Sequence, residues 1–375
     1  MFTASAGGEL FLTGDIDNAN GLIESQNDST ITLNGSANVI GGTLRNVGTG
    51  GFTFASGTVT DATFDGVFTV GQQLTLFLDG TINNQGEIVI SETSGGGVAQ
   101  LAIDDSVSLT GGGIVNLQSV SDAFTARITG SSAVLTNVDN TIQGRGQIGI
   151  NTLQVINESG GTIHANVAGF LTVDMPASNP VFENEGTLKA SNGGTLNFVN
   201  ALENFGRMEG DSTIDSNVTI LNAGTIAPGN SIGTLTLGND TQFTGESVLE
   251  IELGSTTGSA GVDWDQLVVS GTLDLSAATL LTIKLTSLDS NGDPGLLSGF
   301  DANTSVSWRI ADCNDITGFS TGVIAIDSFE FQNSIEGIFI VAQSGDQLFL
   351  NYLSDADQTN SNSFRPFVEF YETVT

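Results

Sequence analysis

The 375-residue chain contains few of the residues that usually cross-link, kink or anchor a protein. Its single cysteine, Cys313, rules out an intramolecular disulfide framework, and we expect it to be a small buried apolar group. Proline occurs only 5 times. No apolar run approaches the roughly 18 residues that cross a bilayer, so we predict no direct insertion into a membrane. Stability must therefore come from the stacking of chain segments on one another.

Positive charge is also scarce, because 8 Lys and Arg residues stand against 42 Asp and Glu residues and leave a formal net charge of −34. The cations are scattered singly along the sequence, whereas phosphate binding needs clustered cations, so we predict no nucleic acid partner. The acids have two open interpretations. They keep a large β-rich surface soluble in a salty medium, or some of them bind Ca²⁺. Both interpretations predict an extracellular or bacterial cell-surface location.

The first residues, Met1–Gly8, carry neither a basic region nor an apolar core, so they do not form an export signal. They lead directly into strand-like sequence. We therefore expect the chain to be a mature or excised fragment of a longer exported protein.

Five short segments share one pattern, in which an asparagine is followed by a glycine and then by an apolar residue two positions later. They are Asn84–Ile88, Asn157–Ile163, Asn184–Leu188, Asn204–Met208 and Asn222–Ile226. The last three begin at positions 184, 204 and 222, so the pattern recurs at nearly regular intervals. An interval of about 20 residues is typical of one coil of a β-solenoid.

Between residues 8 and 237, runs rich in Val, Ile, Leu, Thr and Phe alternate with Gly, Asn and Asp turns, and strands are predicted at such runs, among them 29–33, 68–70, 74–78 and 171–173. This pattern predicts an all-β chain, a right-handed parallel β-helix (solenoid) whose successive coils pair in parallel. The repeated asparagines would stack in a hydrogen-bonded ladder, and the glycines after them would supply a positive φ. A series of hairpins with Asn-Gly turns is the competing interpretation, although the repeat has coil spacing rather than hairpin spacing.

Several stretches of the second half resemble a known family. They are residues 140–149, the stretch GTIAPGNSIGTLTLGNDTQF that begins at Gly224, the segments SVLEIEL and DWDQLVVSGTLDL, and the closing segments VSWRIADCNDITGF and GDQLFLNYL. Together they resemble the passenger-associated repeat region of bacterial autotransporter-like and large haemagglutinin-like surface proteins. The resemblance covers residues 135–353. Residues 1–134 share only the general character of the family's sequences. It implies a right-handed β-helix that is exposed at a bacterial surface.

The coil rhythm weakens after residue 237, and longer strands are expected over 248–253, 267–275, 280–285, 323–331 and 337–341. The chain thus divides into three parts. We predict a parallel β-helix over 1–237, a smaller C-terminal β-rich capping domain over 238–353, and a polar linker with a terminal β-strand over 354–375. A cap is expected because the open end of a solenoid exposes unpaired strand edges and apolar core.

The last segment is β-prone and carries candidate assembly residues, namely Phe367, Val368, Phe370, Tyr371 and Val374. Three explanations stay open. The segment packs as a final strand on its own cap, it is the stub of a further domain, or it is donated as a strand to a neighbouring subunit.

One stretch resembles half of a calcium loop. Asp289, Asn291 and Asp293 place side-chain oxygens at positions 1, 3 and 5, but Pro294 stands at position 6 and Phe300 at position 12. A plain acidic turn is the competing interpretation. Three further acid pairs are weaker candidates for chelation, namely Asp15 with Asp17, Asp104 with Asp105, and Asp263 with Asp265.

Catalysis is not expected from this sequence. The single histidine, His164, falls at an ordinary coil position, and no Ser/His/Asp arrangement, metal-spaced His cluster or phosphate loop is visible. Pairs of acids at the separation that glycosidases need are inevitable with so many carboxylates. We therefore expect no required cofactor, with Ca²⁺ as the one candidate ion.

Three functional hypotheses follow. The favoured one is a non-enzymatic extracellular structural protein, a β-helical stalk of a bacterial surface or matrix assembly that self-associates into filaments or binds other matrix components. The first alternative is an adhesin fragment that binds glycans or cell surfaces. The second is a polysaccharide-degrading β-helix enzyme.

Overall fold

A computed structural model of the protein describes residues 1–92, 96–120, 125–221 and 223–360, without the side chains of 359 and 360. Asn222 and the candidate assembly residues between 367 and 374 lie outside this set. The predicted all-β class is confirmed, since 35 mostly parallel strands form the described part of the chain. The chain divides into two compact units, the first Met1–Ala201 and the second from Leu202.

The first unit is built from short strands. They are β1 Phe2–Ala4, β2 Glu9–Leu12, β3 Asp15–Asp17, β4 Leu22–Ser25, β5 Thr30–Leu33, β6 Asn38–Ile40, β7 Thr43–Asn46, β8 Gly51–Thr60, β9 Thr63–Asp65, β10 Val67–Val70, β11 Thr75–Asn84, β12 Glu87–Ser91, β13 Ala99–Thr110, β14 Ile114–Gln118, β15 Ala126–Gly130, β16 Ala133–Asn137, β17 Thr141–Ile148, β18 Leu153–Asn157, β19 Thr162–Ala165, β20 Gly169–Val173, β21 Val181–Asn184, β22 Thr187–Ala190 and β23 Gly194–Phe198.

Successive coils of the first unit pair in parallel, as the solenoid interpretation predicts. Ile23 pairs with Phe2 of the preceding coil and with Leu44 of the following one. Longer coils occur further along, where Ile88 pairs with Val115. The parallel register rules out the hairpin interpretation, because hairpin strands run antiparallel. The right-handed sense of the coils stays a prediction.

The interior of the first unit follows from alternation along each strand. In β17, every second residue is buried, and the same alternation holds in β5 and β16. Fully buried Leu, Ile, Val and Phe side chains stack between coils, and the ring of Phe68 lies 6.4 Å from that of Phe54 and 4.8 Å from that of Phe64. Burial of such side chains contributes about 1.5–3 kcal/mol each.

The second unit uses longer strands. They are β24 Ala201–Asn204, β25 Arg207–Gly210, β26 Thr213–Asp215, β27 Val218–Ile220, β28 Thr225–Pro228, β29 Thr234–Leu237, β30 Thr241–Leu253, β31 Gln266–Ser287, β32 Val306–Thr317, β33 Ile324–Glu330, β34 Ile338–Ser344 and β35 Gln347–Leu353, with a 3-10 turn over Thr321–Val323 and one helix, α1, over Asp355–Asn360. Among the described residues, the helical segments are too short and too polar to span a bilayer.

Pairing in the second unit stays parallel from β24 to β33 and then changes. β31 lies against β30 on one side, while β32 and β33 share its other side. β35 then runs antiparallel to β32 and to β34. The two predicted strands over 267–275 and 280–285 are therefore one continuous strand, β31, with a register shift inside it. The domain boundary at 237/238 stays a prediction.

A second core lies beneath the antiparallel strands. Trp308 and Tyr352 are fully buried, and Phe300 and Phe339 place their rings 4.8 and 5.2 Å from that of Tyr352. The polar ends of both large side chains are satisfied. Trp308 Nε1 donates to the carbonyl of Ser255 at 2.9 Å, and Tyr352 Oη donates to that of Ala302 at 2.9 Å. These bonds tie the closing strands to the loop that follows β30 and to the loop that precedes β32.

Candidate functional sites

A row of buried asparagines runs through one corner of the first unit. Asn137 Nδ2 donates to Asn157 Oδ1 at 2.9 Å, and Asn157 Nδ2 donates to Asn184 Oδ1 at 2.8 Å. The row continues through Asn140, which accepts a bond from Asn84 Nδ2 at 2.9 Å. All five side chains are fully buried. The predicted ladder is therefore confirmed within the first unit, and these five residues are called the asparagine ladder below.

The glycines beside the ladder serve a different purpose from the predicted one. Gly86, Gly161 and Gly186 do not adopt a positive φ, so that prediction was wrong. They are needed because the preceding coil approaches too closely for a side chain. A Cβ on Gly161 would lie 2.7 Å from Asn137 Nδ2 and from its carbonyl oxygen, and one on Gly186 would lie 2.6 Å from Asn157 Nδ2. Gly161 and Gly186 thus leave room for ladder amides, and Gly86 leaves room for the backbone of Gly66.

The repeat is only partly regular in the second unit. Met208 pairs with Ile226, which matches the predicted spacing of the repeat. Asn204 pairs with Ile220, and Asn222 lies outside the described residues. The connection from β27 to β28 is longer than the one from β24 to β25.

The proposed calcium residues lie together in one exposed turn. The Asp289 carboxylate accepts the backbone N–H of Asn291 at 2.8 Å and of Asp293 at 3.2 Å, and Asn291 Nδ2 lies 3.3 Å from it. The backbone N–H of Asn291, which favours the ionised form, lowers the pKa of Asp289. Asp289 thus closes its own turn, an arrangement that favours the acidic-turn interpretation. Within the described ranges, no group of three or more His, Cys, Asp or Glu side chains is placed to hold a metal ion.

The three acid pairs are arranged differently from one another. Asp15 and Asp17 are both exposed on β3, as the alternation predicts. Asp104 and Asp105 lie at a register shift between β11 and β13. The third pair does not lie on a strand, because β31 begins only at Gln266. The carboxylates of Asp263 and Asp265 accept hydrogen bonds from different backbone N–H groups.

Asp265 is a strongly perturbed carboxyl group of the second unit. It is 1% exposed and accepts the backbone N–H groups of Gly233 and Glu252, both at 2.8 Å. Burial raises its pKa to about 8, although these two bonds act in the opposite direction. Its neighbour Asp263 accepts the N–H of Ser259 at 2.8 Å. The pair therefore organises loops rather than sharing a ligand.

His164 and Cys313 occupy the positions expected of them. His164 is half-buried on the outer wall, in register between Gln143 and Lys189, and its Nε2 lies 2.8 Å from Ser191 Oγ. Cys313 is buried at 6% exposure, and burial raises the pKa of its thiol to about 12. A thiol with such a pKa is a poor nucleophile at neutral pH.

A network of ion pairs crosses the wall of the second unit. Glu250 binds Arg207 at 2.7 Å and lies 3.5 Å from Lys284, which in turn lies 3.5 Å from Glu330. Arg207 also binds Glu209 at 2.6 Å. Burial alone would lower the pKa of Arg207, but hydrogen bonds to the two glutamates outweigh it and raise the pKa. Two cations that are far apart in the sequence thus converge on one carboxylate.

Comparison with known proteins does not identify the chain. No family model and no curated protein matches it. The resemblance to the passenger-associated repeat region therefore stays a prediction, and the function has to be argued from the structure.

The sequence contained a signal for wall ion pairs that was missed. In the first unit, Arg45 binds Asp65 at 2.7 Å and lies 3.8 Å from Glu24. Arg45 is the register partner of Glu24 in the preceding coil and of Asp65 in the following one, so the three residues recur at the local coil length. Opposite charges at coil spacing thus predict wall ion pairs. The ladder residues Asn137 and Asn140 were also missed, because their coil lacks the glycine of the repeat.

Proposed function

We propose that the chain is a non-enzymatic structural protein of a bacterial cell surface or extracellular matrix, in which stacked coils form a self-associating stalk. The observation that carries the proposal is the asparagine ladder, whose buried side chains bind only other parts of the wall. Five fully buried amides joined from coil to coil hold neighbouring coils in a single register. Such an interior suits a protein whose work is mechanical support.

The surface chemistry supports the same proposal. A net charge of −34 keeps separate chains soluble until a specific contact joins them. Some wall carboxylates are already engaged, since Glu250 forms ion pairs with an Arg and a Lys side chain and Asp65 forms one with an Arg side chain. Calcium at Asp289, Asn291 and Asp293, and glycans or matrix components as partners, belong to the proposal as predictions.

Electron microscopy of the purified chain tests this function. We expect elongated particles that join into filaments as the protein concentration rises. Particles that stay compact at every concentration would contradict the stalk. Saturable binding on a glycan array without filaments would favour the adhesin, and release of unsaturated or reducing sugars would favour the enzyme.

Removal of residues 364–375 separates the explanations of the terminal segment. If the segment is donated to a neighbouring subunit, the shortened chain will remain monomeric and the full chain will polymerise. Filaments of unchanged length from the shortened chain would exclude donation of this strand.

A further inference from the structure

A groove of about 300 Å³ crosses the corners of three successive coils in the first unit. Its rims are the turns at 131–132 and 151–152 and the loop over 176–179. Its floor includes Val134 and Gln154, which are partners in register on β16 and β18. This volume lies at the lower end of the range found for small-molecule sites, which is about 300–1,000 Å³.

Backbone contacts between coils fix the shape of this groove. The Ser132 N–H donates to the carbonyl of Thr152 at 3.1 Å, and the Ala177 N–H donates to Asn151 Oδ1 at 3.1 Å. Ile150 and Asn151 have φ of +52° and +54°, in the left-handed region. A β-branched residue rarely adopts that region, so the surrounding wall holds this turn in place. The groove is therefore formed before any ligand arrives.

Five polar side chains line the groove and form no side-chain hydrogen bond within the described residues. They are Ser131, Ser132, Gln154, Ser178 and Asn179. Each is exposed or half-exposed and open to a ligand. Hydroxyl and amide groups both donate and accept hydrogen bonds. Small apolar surfaces from Ala133, Val134 and Pro176 lie among them.

The lining carries no charged side chain, although the chain has 42 acidic residues. A cation would find no carboxylate in the groove, and an anion would meet no positive side chain and a strongly negative protein. An apolar ligand would remove the five polar groups from water without replacing their hydrogen bonds. A neutral ligand with many hydroxyl groups satisfies them in both directions.

We propose that this groove binds a short neutral saccharide. The hydroxyl groups of the sugar would bond to Gln154, Ser178 and Asn179, and its C–H faces would lie against Val134 and Pro176. The proposal does not depend on filament formation, because all of the lining residues belong to the first unit.

Ligand-observed NMR titration of the full chain tests the proposal, with maltotriose, cellotriose and chitotriose as probes and trigalacturonate as the anionic comparison. We expect saturable binding of at least one neutral trisaccharide and weaker or no binding of the anionic one. Absence of binding by all three neutral probes, or equal competition by trigalacturonate, would overturn it.

Two groove variants and one matched control locate the binding. Gln154→Ala and Ser178→Ala each remove one hydrogen-bonding group and should weaken binding by about fivefold. Gln143→Ala removes the same side chain type from a half-exposed position on β17 outside the groove and should leave the affinity unchanged. Equal affinity in all three variants would place any binding elsewhere and refute the assignment.

Discussion

Replacement of Asn157 by alanine is the sharpest test of the asparagine ladder. The side chain is fully buried. It accepts a hydrogen bond from Asn137 at 2.9 Å and donates to Asn184 at 2.8 Å and to the carbonyl of Gly161 at 3.3 Å. Each buried bond contributes about 1 kcal/mol net. Asn157→Ala should therefore destabilise the surrounding coils by about 3 kcal/mol.

Hydrogen exchange with mass spectrometry is the suitable measurement, because stacked repeats open locally rather than in one step. Amides of β18 and β19 should exchange about a hundredfold faster in Asn157→Ala, since each 1.4 kcal/mol changes an equilibrium about tenfold. The control is Asn197→Ala on β23, where a half-exposed amide makes one 3.4 Å contact with Thr172. Asn197→Ala should change the exchange rates of these amides by less than about threefold. If the two variants behave alike, the ladder does not hold the coils together.

Three other predictions concern separate features. Gly161→Ala would place a Cβ 2.7 Å from Asn137 and should lower the free energy of unfolding in urea by about 1–3 kcal/mol. Gly51→Ala is the control, because no atom lies within 4 Å of its Cβ, and it should be nearly neutral. Equal effects of the two variants would contradict the packing argument. Asp265 has a folded-state pKa raised to about 8 from an unfolded value near 3.8, so it binds a proton more readily in the folded unit, and stability should fall as pH rises through this window. Both tryptophans, Trp264 and Trp308, lie in the second unit, so their fluorescence reports the melting temperature of that unit. This temperature should fall between pH 5 and 8 in the wild type and should depend less on pH in Asp265→Asn. A wild-type melting temperature that is independent of pH would refute the prediction. Calorimetric titration with Ca²⁺ should give no heat if Asp289 only closes its turn, whereas saturable heat that Asp289→Ala removes would establish the calcium site.

The parts of the fold that were predictable depend on local sequence. Strands at 29–33, 68–70, 74–78 and 171–173 are confirmed, because alternation and flanking turn residues act over a few positions. The coil spacing was predictable where the asparagine repeat is intact. The single strand β31 was not, since Ser276, which follows the first predicted strand, resembles a turn residue in sequence but lies in a strand that has neighbours on both edges.

Coil length itself limits what the sequence can predict. Leu202 and its register partner Val218 are close together in the chain, whereas Leu267 and its partner Ala311 are more than twice as far apart. Insertions at corners change the spacing without changing the pairing, so contacts such as that between the β25 arginine and the β30 glutamate cannot be found from a fixed period. The groove has the same cause, because its rims are corner turns whose conformations depend on neighbouring coils.

Three bonds between side-chain amides of the ladder point the same way along the chain, from Asn84 to Asn140, from Asn137 to Asn157 and from Asn157 to Asn184. The row therefore has a direction, and its side-chain dipoles add head to tail. A duplicated coil inserted in the same orientation, with an asparagine at this corner, would extend the row without interruption. Tandem duplication of coils would therefore lengthen the ladder in one direction along the chain.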